Sequence, residues 1–199
     1  TSPAPASSTN DAIARYDGAA GALQDYTSLA PTISDAGIVA LTSGALKWPS
    51  TAIPSGDANT LDDYEEGAWT PVLWDNSLDS GEGQSYSIAV GRYVRIGNRV
   101  YVSYIITMSG LGTLTVSQGA RIGGLPFTAV NTANVVHSFV AGACADLNST
   151  AGYNVCGTLD PNTANIILRI WDYTGGNTSM LISELTAAGR IQMAGFYEV

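Results

Sequence analysis

The sequence is poor in basic and titratable side chains. Its 199 residues include one lysine, Lys47, one histidine, His137, and two cysteines, and only 13% of all residues are charged. Eight basic residues face 17 acidic ones, which gives a net charge of −9. Binding to nucleic acid or to an anionic membrane needs clustered Lys and Arg, and the sequence has no such cluster. The composition therefore argues against both kinds of partner.

Long apolar runs are also missing. No stretch approaches the roughly 18 consecutive apolar residues that a membrane span requires. The first residues lack the charged segment followed by an apolar one that is typical of a secretory signal. The sequence predicts neither membrane insertion nor a signal peptide.

Few residues are available for metal binding or catalysis. Cys144, Cys156 and a single histidine cannot form a zinc site with the usual spacing, so no metal or cofactor is expected. The cysteines could meet across a hairpin around 146–153, but reduced, buried thiols are the expected state. His137 is expected in the core or a loop. There is no phosphate-binding glycine loop, nucleophile elbow or Ser/His/Asp set, so we predict no catalytic residue and no enzyme activity.

Composition changes near residue 66. Residues 1–66 carry nine acids and two basic residues in short apolar pieces separated by turn signals, which predicts strands of three to five residues at most. This part cannot bury much core alone. It should be disordered, packed on the rest of the chain, or interwoven with other copies of itself. A boundary between 1–66 and 67–199 is therefore predicted.

Residues 67–199 read as strands throughout. The most specific local pattern is Gly97-Asn98 between apolar-rich segments at 86–96 and 99–108, which predicts a hairpin with a two-residue loop. Further strands are predicted at 69–74, 114–116, 120–122, 135–140, 153–159, 165–173, 180–185 and 191–197. Many short strands without a helical period indicate an all-β fold, a β-sandwich or jelly roll.

Several segments resemble a known family. Residues 59–71 read NTLDDYEEGAWTP, which is similar to a phrase in tail fibres and tailspikes of tailed bacteriophages. Three segments resemble the same family in the same order: VGRYVRIGNRV at 90–100, IGGLPFT at 122–128 and AGFY at 194–197. Upstream, DAIARYDG at 11–18 and ISDAGIV at 33–39 look like fibre-shaft repeats. The resemblance is weakest from 129 to 188, where we expect a partner-specific surface.

The resemblance implies a homotrimeric component of the virion tail that is assembled in the cytoplasm of the bacterial host. In this interpretation residues 1–66 form an interwoven trimeric shaft. Residues 67–199 form a β-sandwich, jelly-roll-like knob that attaches to a polysaccharide or protein on the bacterial surface, while the chain also contacts other virion tail proteins. Two alternatives remain: a purely structural module that trimerises the fibre, and a monomeric carbohydrate-binding module.

Aromatic residues beside polar ones suggest where a glycan would bind, because sugars stack on flat rings while polar groups bond their hydroxyls. On the strand predicted at 165–173, Ile166, Leu168 and Ile170 should face one side and the polar and aromatic residues the other. The candidate receptor-binding residues are Arg169, Trp171, Asp172, Tyr173 and Asn177, with Tyr153 and Asn154 as a second candidate. The face of Trp171 is either receptor-binding or packed against a neighbouring subunit.

Other aromatic and acidic residues have simpler interpretations. Trp69 and Trp74 are expected in the core. The acids at 62–66 are expected to solvate the junction or to accept hydrogen bonds from backbone amides, rather than to act as the paired carboxylates of a glycosidase. The segment at 75–82 spaces oxygen ligands as a calcium loop does but lacks its late glutamate, so a solvated turn is expected.

Overall fold

A computed structural model describes residues 61, 63–77, 82–149, 153–172 and 175–199, with the backbone alone for Asp172 and for four short strands nearer the N-terminus. The chain divides into two compact units, Thr1–Pro49 and Ser50–Val199. Among the described residues, no helix is long and apolar enough to span a membrane.

The first unit contains two short antiparallel hairpins. Strand β1 (Arg15–Asp17) pairs with β2 (Ala22–Gln24), and β3 (Thr32–Ile33) pairs with β4 (Val39–Ala40). Both hairpins lie within residues 1–66, where the sequence predicted short strands separated by turns. Short strands are thus confirmed in this part of the chain, and the interwoven trimeric shaft stays a prediction.

The second unit contains one antiparallel sheet. Its strands are β5 (Tyr64–Trp69), β6 (Val72–Trp74), β7 (Ser85–Ile96), β8 (Arg99–Gly110), β9 (Arg121–Gly123), β10 (His137–Ala145), β11 (Asn154–Leu159), β12 (Ile166–Asp172), β13 (Gly176–Ser179) and β14 (Arg190–Glu198). Their order across the sheet is β5-β7-β8-β14-β10-β11-β12-β9-β6, and β13 also pairs with β12. Strand β5 crosses position 66, where the sequence predicted the boundary between shaft and knob.

The sheet curls because its two end strands are joined directly. Strands β5 and β6 lie at opposite ends of the strand order but are separated in sequence by Thr70 and Pro71 alone. A link of this length spans at most about 11 Å. The two ends of the sheet must therefore come together around one core. The all-β, sandwich-like fold class is confirmed, with one continuous sheet supplying the layers.

Alternating residues of β8 and β12 supply much of this core. The buried side chains with the largest volume and less than 2% exposure are Tyr197, Phe139, Leu73, Ile106, Ile122, Leu159, Ile166, Leu168, Ile170, Met180, Ile182 and Ile191. On β8 every second residue from Val100 to Met108 is buried, as expected for a strand with one face on the core. The predicted inward face of β12 is confirmed.

The predicted hairpin is also confirmed. Strands β7 and β8 pair along their whole length, with Ile96 opposite Arg99 and a turn at 97–98. Gly97 has a φ of 59°. Positive φ at the first loop position is what a type II′ turn requires, and glycine adopts it without a steric penalty.

Three predicted strands differ in the structure. Residues 114–116 form no strand: Leu114 and Thr115 are irregular, and Val116 begins a turn. Within 180–185 the chain forms a short 3₁₀ helix, Ile182–Glu184, because the Glu184 carboxylate accepts a hydrogen bond from the backbone N–H of Leu181 at 2.7 Å. The strand predicted at 69–74 is interrupted at 70–71, since Pro71 has no N–H to offer a ladder.

Trp69 lies in the core, as predicted, while Trp74 is only half-buried. The Trp69 ring packs edge-on against Tyr104, with centroids 5.6 Å apart, and its Nε1–H donates to the carbonyl of Arg92 at 3.3 Å. A Cβ on Gly91 would collide with the same indole. Glycine at position 91 therefore makes room for Trp69 beneath the sheet.

Candidate functional site

The strand register brings three candidate residues into one row. Trp171 of β12 lies opposite Asn154 of β11 on one side and opposite Asn177 of β13 on the other. All three are exposed, and 55% of the Trp171 surface is accessible. We call Asn154, Trp171 and Asn177 the Trp171 row. Its geometry is an indole plane between two amide side chains, each able to donate and accept hydrogen bonds.

Arg169 lies in the next row of the same face, two residues from Trp171. It is opposite Cys156 and Ser179. Its Nε–H donates to Thr158 Oγ1 at 3.3 Å and its Nη1 to Ser179 Oγ at 3.5 Å. Neither of the salt bridges in the described part of the chain involves Arg169. The guanidinium is thus held in place by hydroxyls while its charge is not paired with a carboxylate.

A cleft of about 390 Å³ opens where β10 ends and β11 begins. Its walls include Asp146, Ser149, Tyr153 and Asn154. Asn154 belongs both to this cleft and to the Trp171 row, so the two features are adjacent. Tyr153 is half-buried and packs against the core. The second candidate pair is therefore divided between an exposed amide and a partly buried ring.

The loop beside the cleft is anchored by the segment that contains the 3₁₀ helix. The backbone N–H of Asn148 donates to the carbonyl of Glu184 at 2.8 Å, and its side-chain Nδ2 donates to the carbonyl of Ser183 at 3.1 Å. The Thr186 hydroxyl donates to the carbonyl of Asp146. These bonds fix one wall of the cleft, and they depend on the helix that sequence analysis predicted as a strand.

Of the remaining candidates, Asp172 is described by its backbone alone and Tyr173 is not described. The backbone of Asp172 lies opposite Gly176 at the end of β12. Tyr173 lies outside the described residues. Sequence analysis missed Cys156, Thr158 and Ser179, the neighbours of Arg169 on adjacent strands, because only the register shows which residues meet across a sheet.

Both cysteines are free, as predicted, but the prediction that they are buried is wrong. Cys144 is exposed and lies opposite Ile191, whereas Cys156 is half-buried and lies opposite Val140. They do not face each other because the hairpin register offsets them by four residues. Partial desolvation by neighbouring groups raises the pKa of both thiols.

His137 is buried, as predicted, but one ring nitrogen lacks a partner. The side chain is 7% exposed, packs edge-on against Tyr197 at 6.3 Å, and has no hydrogen-bond partner at Nε2. Burial lowers its pKa. Burial therefore favours the neutral form of the imidazole.

The acids near the start of β5 interact with side chains of β7 and of β5 itself. Asp63 forms a 3.0 Å salt bridge with Arg95, and Glu65 accepts a hydrogen bond from the Tyr93 hydroxyl. Glu66 accepts one from the Tyr64 hydroxyl at 3.0 Å. Glu65 and Glu66 are exposed, as solvation of the junction requires, while the hydrogen bonds they accept come from tyrosine hydroxyls rather than from backbone amides. Asp62 lies outside the described residues.

Asp75, the first residue of the calcium-like segment, is 1% exposed. One carboxylate oxygen accepts hydrogen bonds from the backbone N–H and the hydroxyl of Ser77, and the other accepts from the backbone N–H of Thr115 at 3.0 Å. Its oxygens bind the protein's own donors, so Asp75 is a buried structural carboxylate rather than part of a solvated turn. No cluster of three metal-ligating side chains occurs among the residues described.

No protein-family model and no curated protein matches the sequence. Among solved structures, the crystal structure of the Dettilon tailspike protein is similar to this chain, with a TM-score of 0.52 and 20% sequence identity. The match covers 68% of this chain and 24% of that one, so this chain spans about a quarter of the tailspike's length. At this identity the likeness concerns the fold. The chain has a tailspike-like fold, in agreement with the resemblance seen in its sequence motifs.

Proposed function

We propose that this chain is the C-terminal region of a bacteriophage tail fibre or tailspike, located in the virion tail, which forms a homotrimer and attaches to the bacterial surface. Its receptor is a surface polysaccharide, and it binds this receptor without cleaving it. Other tail proteins are its remaining partners. The observation that carries the binding role is Trp171, exposed between Asn154 and Asn177 on a tailspike-like fold.

The chemistry of the Trp171 row suits a sugar. An exposed indole offers a flat apolar surface to the C–H face of a pyranose ring. Asn154 and Asn177, one on each side, can bond hydroxyls at the ring's edge, since each amide both donates and accepts. Arg169, which pairs with no carboxylate among the described residues, adds a cation that would favour sugars bearing carboxylate or phosphate groups. The adjacent cleft lined by Tyr153 gives room for a further sugar unit.

The effect of removing the indole can be estimated. Covering the exposed half of a Trp side chain removes roughly 100 Å² of apolar surface from water, which is worth about 2 kcal/mol from area burial alone. Two kcal/mol corresponds to an affinity change of about 30-fold.

The test uses the full chain and a panel of purified surface polysaccharides and intact bacterial cells. We expect Trp171→Ala to weaken binding about 30-fold while Trp171→Phe retains much of it, because the flat ring is kept. Leu181→Ala, at another exposed apolar position, is the matched control and should bind normally. Each variant's solution mass is measured in parallel, and release of reducing ends reports cleavage.

The outcomes separate the alternatives. Loss of binding at unchanged mass supports the receptor site. Dissociation of Trp171→Ala assigns the ring to a subunit contact and favours the purely structural module. A wild-type monomer that binds polysaccharide favours a carbohydrate-binding module, and release of reducing ends refutes the non-enzymatic role.

A further inference from the structure

The side of the sheet that faces away from the core is unusually apolar across β5, β7, β8, β14 and β10. On most strands that pack on a core, the outward positions are polar. Here β7 directs Val90, Val94 and Ile96 outward, while the smaller or more polar Gly91, Tyr93 and Arg95 lie on the core side. We call the exposed residues of this face the apolar patch. It consists of Tyr64, Ile88, Val90, Ile96, Tyr101, Val140 and Phe196, each 41–72% exposed.

The register makes the patch continuous rather than scattered. Tyr101 lies opposite Val94 on β7 and opposite Phe196 on β14. The Tyr101 and Phe196 rings are 5.9 Å apart, and the Arg99 guanidinium lies 4.8 Å above the Phe196 ring. Two residues further along, small side chains such as Ser103 and Ala194 leave a groove of about 410 Å³, with Val140 on its rim.

The size of the patch is that of an interface. With about 150–200 Å² for each fully exposed large side chain, the observed exposures leave roughly 600 Å² of apolar surface. This is at the upper end of what soluble monomers expose, and with the polar residues between these side chains it approaches the ~800 Å² per partner of a standard protein interface.

The charge of the patch fits a second copy of this chain. The chain carries −9, so most of its surface repels another copy. Three arginines lie on the outward side of the strands that form the patch, in register with its other outward residues: Arg92, Arg99 and Arg190. Among the described residues only two carboxylates, Glu66 and Glu198, accompany them, and Glu198 is already paired with Arg99.

Arg92 is an arginine of this side without a carboxylate partner among the described residues. It lies beside the groove, and within the described part of the chain no salt bridge or side-chain hydrogen bond involves its guanidinium. An acidic surface on a neighbouring copy would supply the missing carboxylate. An apolar centre with surplus positive charge is therefore the part of this acidic molecule best suited to receive another copy of it.

We propose that copies of this chain associate through the apolar patch. The inference rests on the proposed function in that it identifies the contact surface of the homotrimer. It also bears on the site: Val140 is on β10, and Trp171 is two strands further along, on β12. The Trp171 row then lies beside the subunit contact rather than at its centre and stays open to a receptor.

The test is solution mass by light scattering over a range of concentrations. Val140→Glu places a charge at a position that is 72% exposed, so the fold itself should tolerate it. Val116→Glu is the matched control: it makes the same substitution at a position 60% exposed, in a turn outside the patch. We expect wild type and Val116→Glu near three times 20.6 kDa, and at least a tenfold weaker association for Val140→Glu.

Each outcome decides a different claim. A monomeric wild type overturns both this inference and the proposed trimer. A trimeric Val140→Glu overturns the inference and leaves the proposed function standing. If Val140→Glu loses its β-sheet circular dichroism, hydroxyl-radical footprinting of the wild type decides instead. Tyr101 and Phe196 should then be protected while Trp171 is oxidised, and equal oxidation of all three overturns the inference.

Discussion

Asp75 should contribute strongly to stability at neutral pH, and the contribution should disappear in acid. Its buried carboxylate joins two segments that are distant in sequence: it accepts hydrogen bonds from Ser77 on one side and from the backbone N–H of Thr115 on the other. The hydrogen bond from the Ser77 hydroxyl, with the backbone N–H groups of Ser77 and Thr115, holds the pKa of Asp75 below its usual value, although burial opposes this.

The perturbation is Asp75→Asn, which keeps the size but replaces one acceptor oxygen with an NH₂ donor. At least one backbone N–H then faces another donor. Hydrogen bonds to a charged group contribute about 1.5–3 kcal/mol, and an unpaired buried donor costs about 1–3 kcal/mol. We therefore expect the free energy of unfolding to fall by about 3 kcal/mol at pH 7. Ser77→Ala removes only one donor and should lower it by about 1 kcal/mol.

The pH dependence gives an independent check. Because the pKa of Asp75 is lower in the folded than in the unfolded chain, the unfolded chain binds the proton more readily. The stabilisation is complete above the unfolded value of about 3.9 and is lost as the pH falls through the folded value. The difference between wild type and Asp75→Asn should therefore be largest at pH 7 and shrink below pH 4.

The assay is urea unfolding at pH 7 and pH 3, at one protomer concentration because association affects apparent stability. Asp160→Asn is the control, since no hydrogen bond or salt bridge of the Asp160 carboxylate occurs among the described residues, and it should change stability by less than about 0.5 kcal/mol. Equal destabilisation by Asp75→Asn at both pH values, or a loss below 1 kcal/mol at pH 7, would refute the reasoning.

Two further predictions concern the core. Gly91→Ala should destabilise the chain by about 1–3 kcal/mol, because the new methyl group displaces the Trp69 indole. Gly119→Ala is the control and should be nearly neutral, because its Cβ would meet Ser179 at an ordinary contact distance of 3.6 Å. Equal urea midpoints for the two variants would contradict this prediction. Burial lowers the pKa of His137, so the free energy of unfolding of the wild type should fall as the pH drops through the unfolded pKa of about 6.5 towards the lower folded pKa. His137→Phe removes this titration and should therefore lose less stability between pH 7.5 and 5.5. Parallel pH profiles of urea midpoints would argue against that role.

Local features were predictable because they depend on neighbours in sequence. Gly97-Asn98 predicted the hairpin, since glycine supplies the positive φ that the turn requires. The alternation from Ile166 to Trp171 predicted which face of β12 is buried. The strand predicted from 180 to 185 was wrong. The apolar residues of this segment suit a strand, but the Glu184 carboxylate stabilises a helical turn instead.

The sequence alone determined the fold class, the hairpin at 97–98 and the residue types of the candidate site, because periodicity, turn chemistry and composition are local properties. The tertiary structure decided which residues meet. Strand order and register place Trp171 between Asn154 and Asn177, separate Cys144 from Cys156, and direct Val90 and Ile96 of β7 away from the core into the apolar patch. Pairing between strands distant in sequence depends on how the whole sheet closes around its core, and a pattern within one strand does not contain that information.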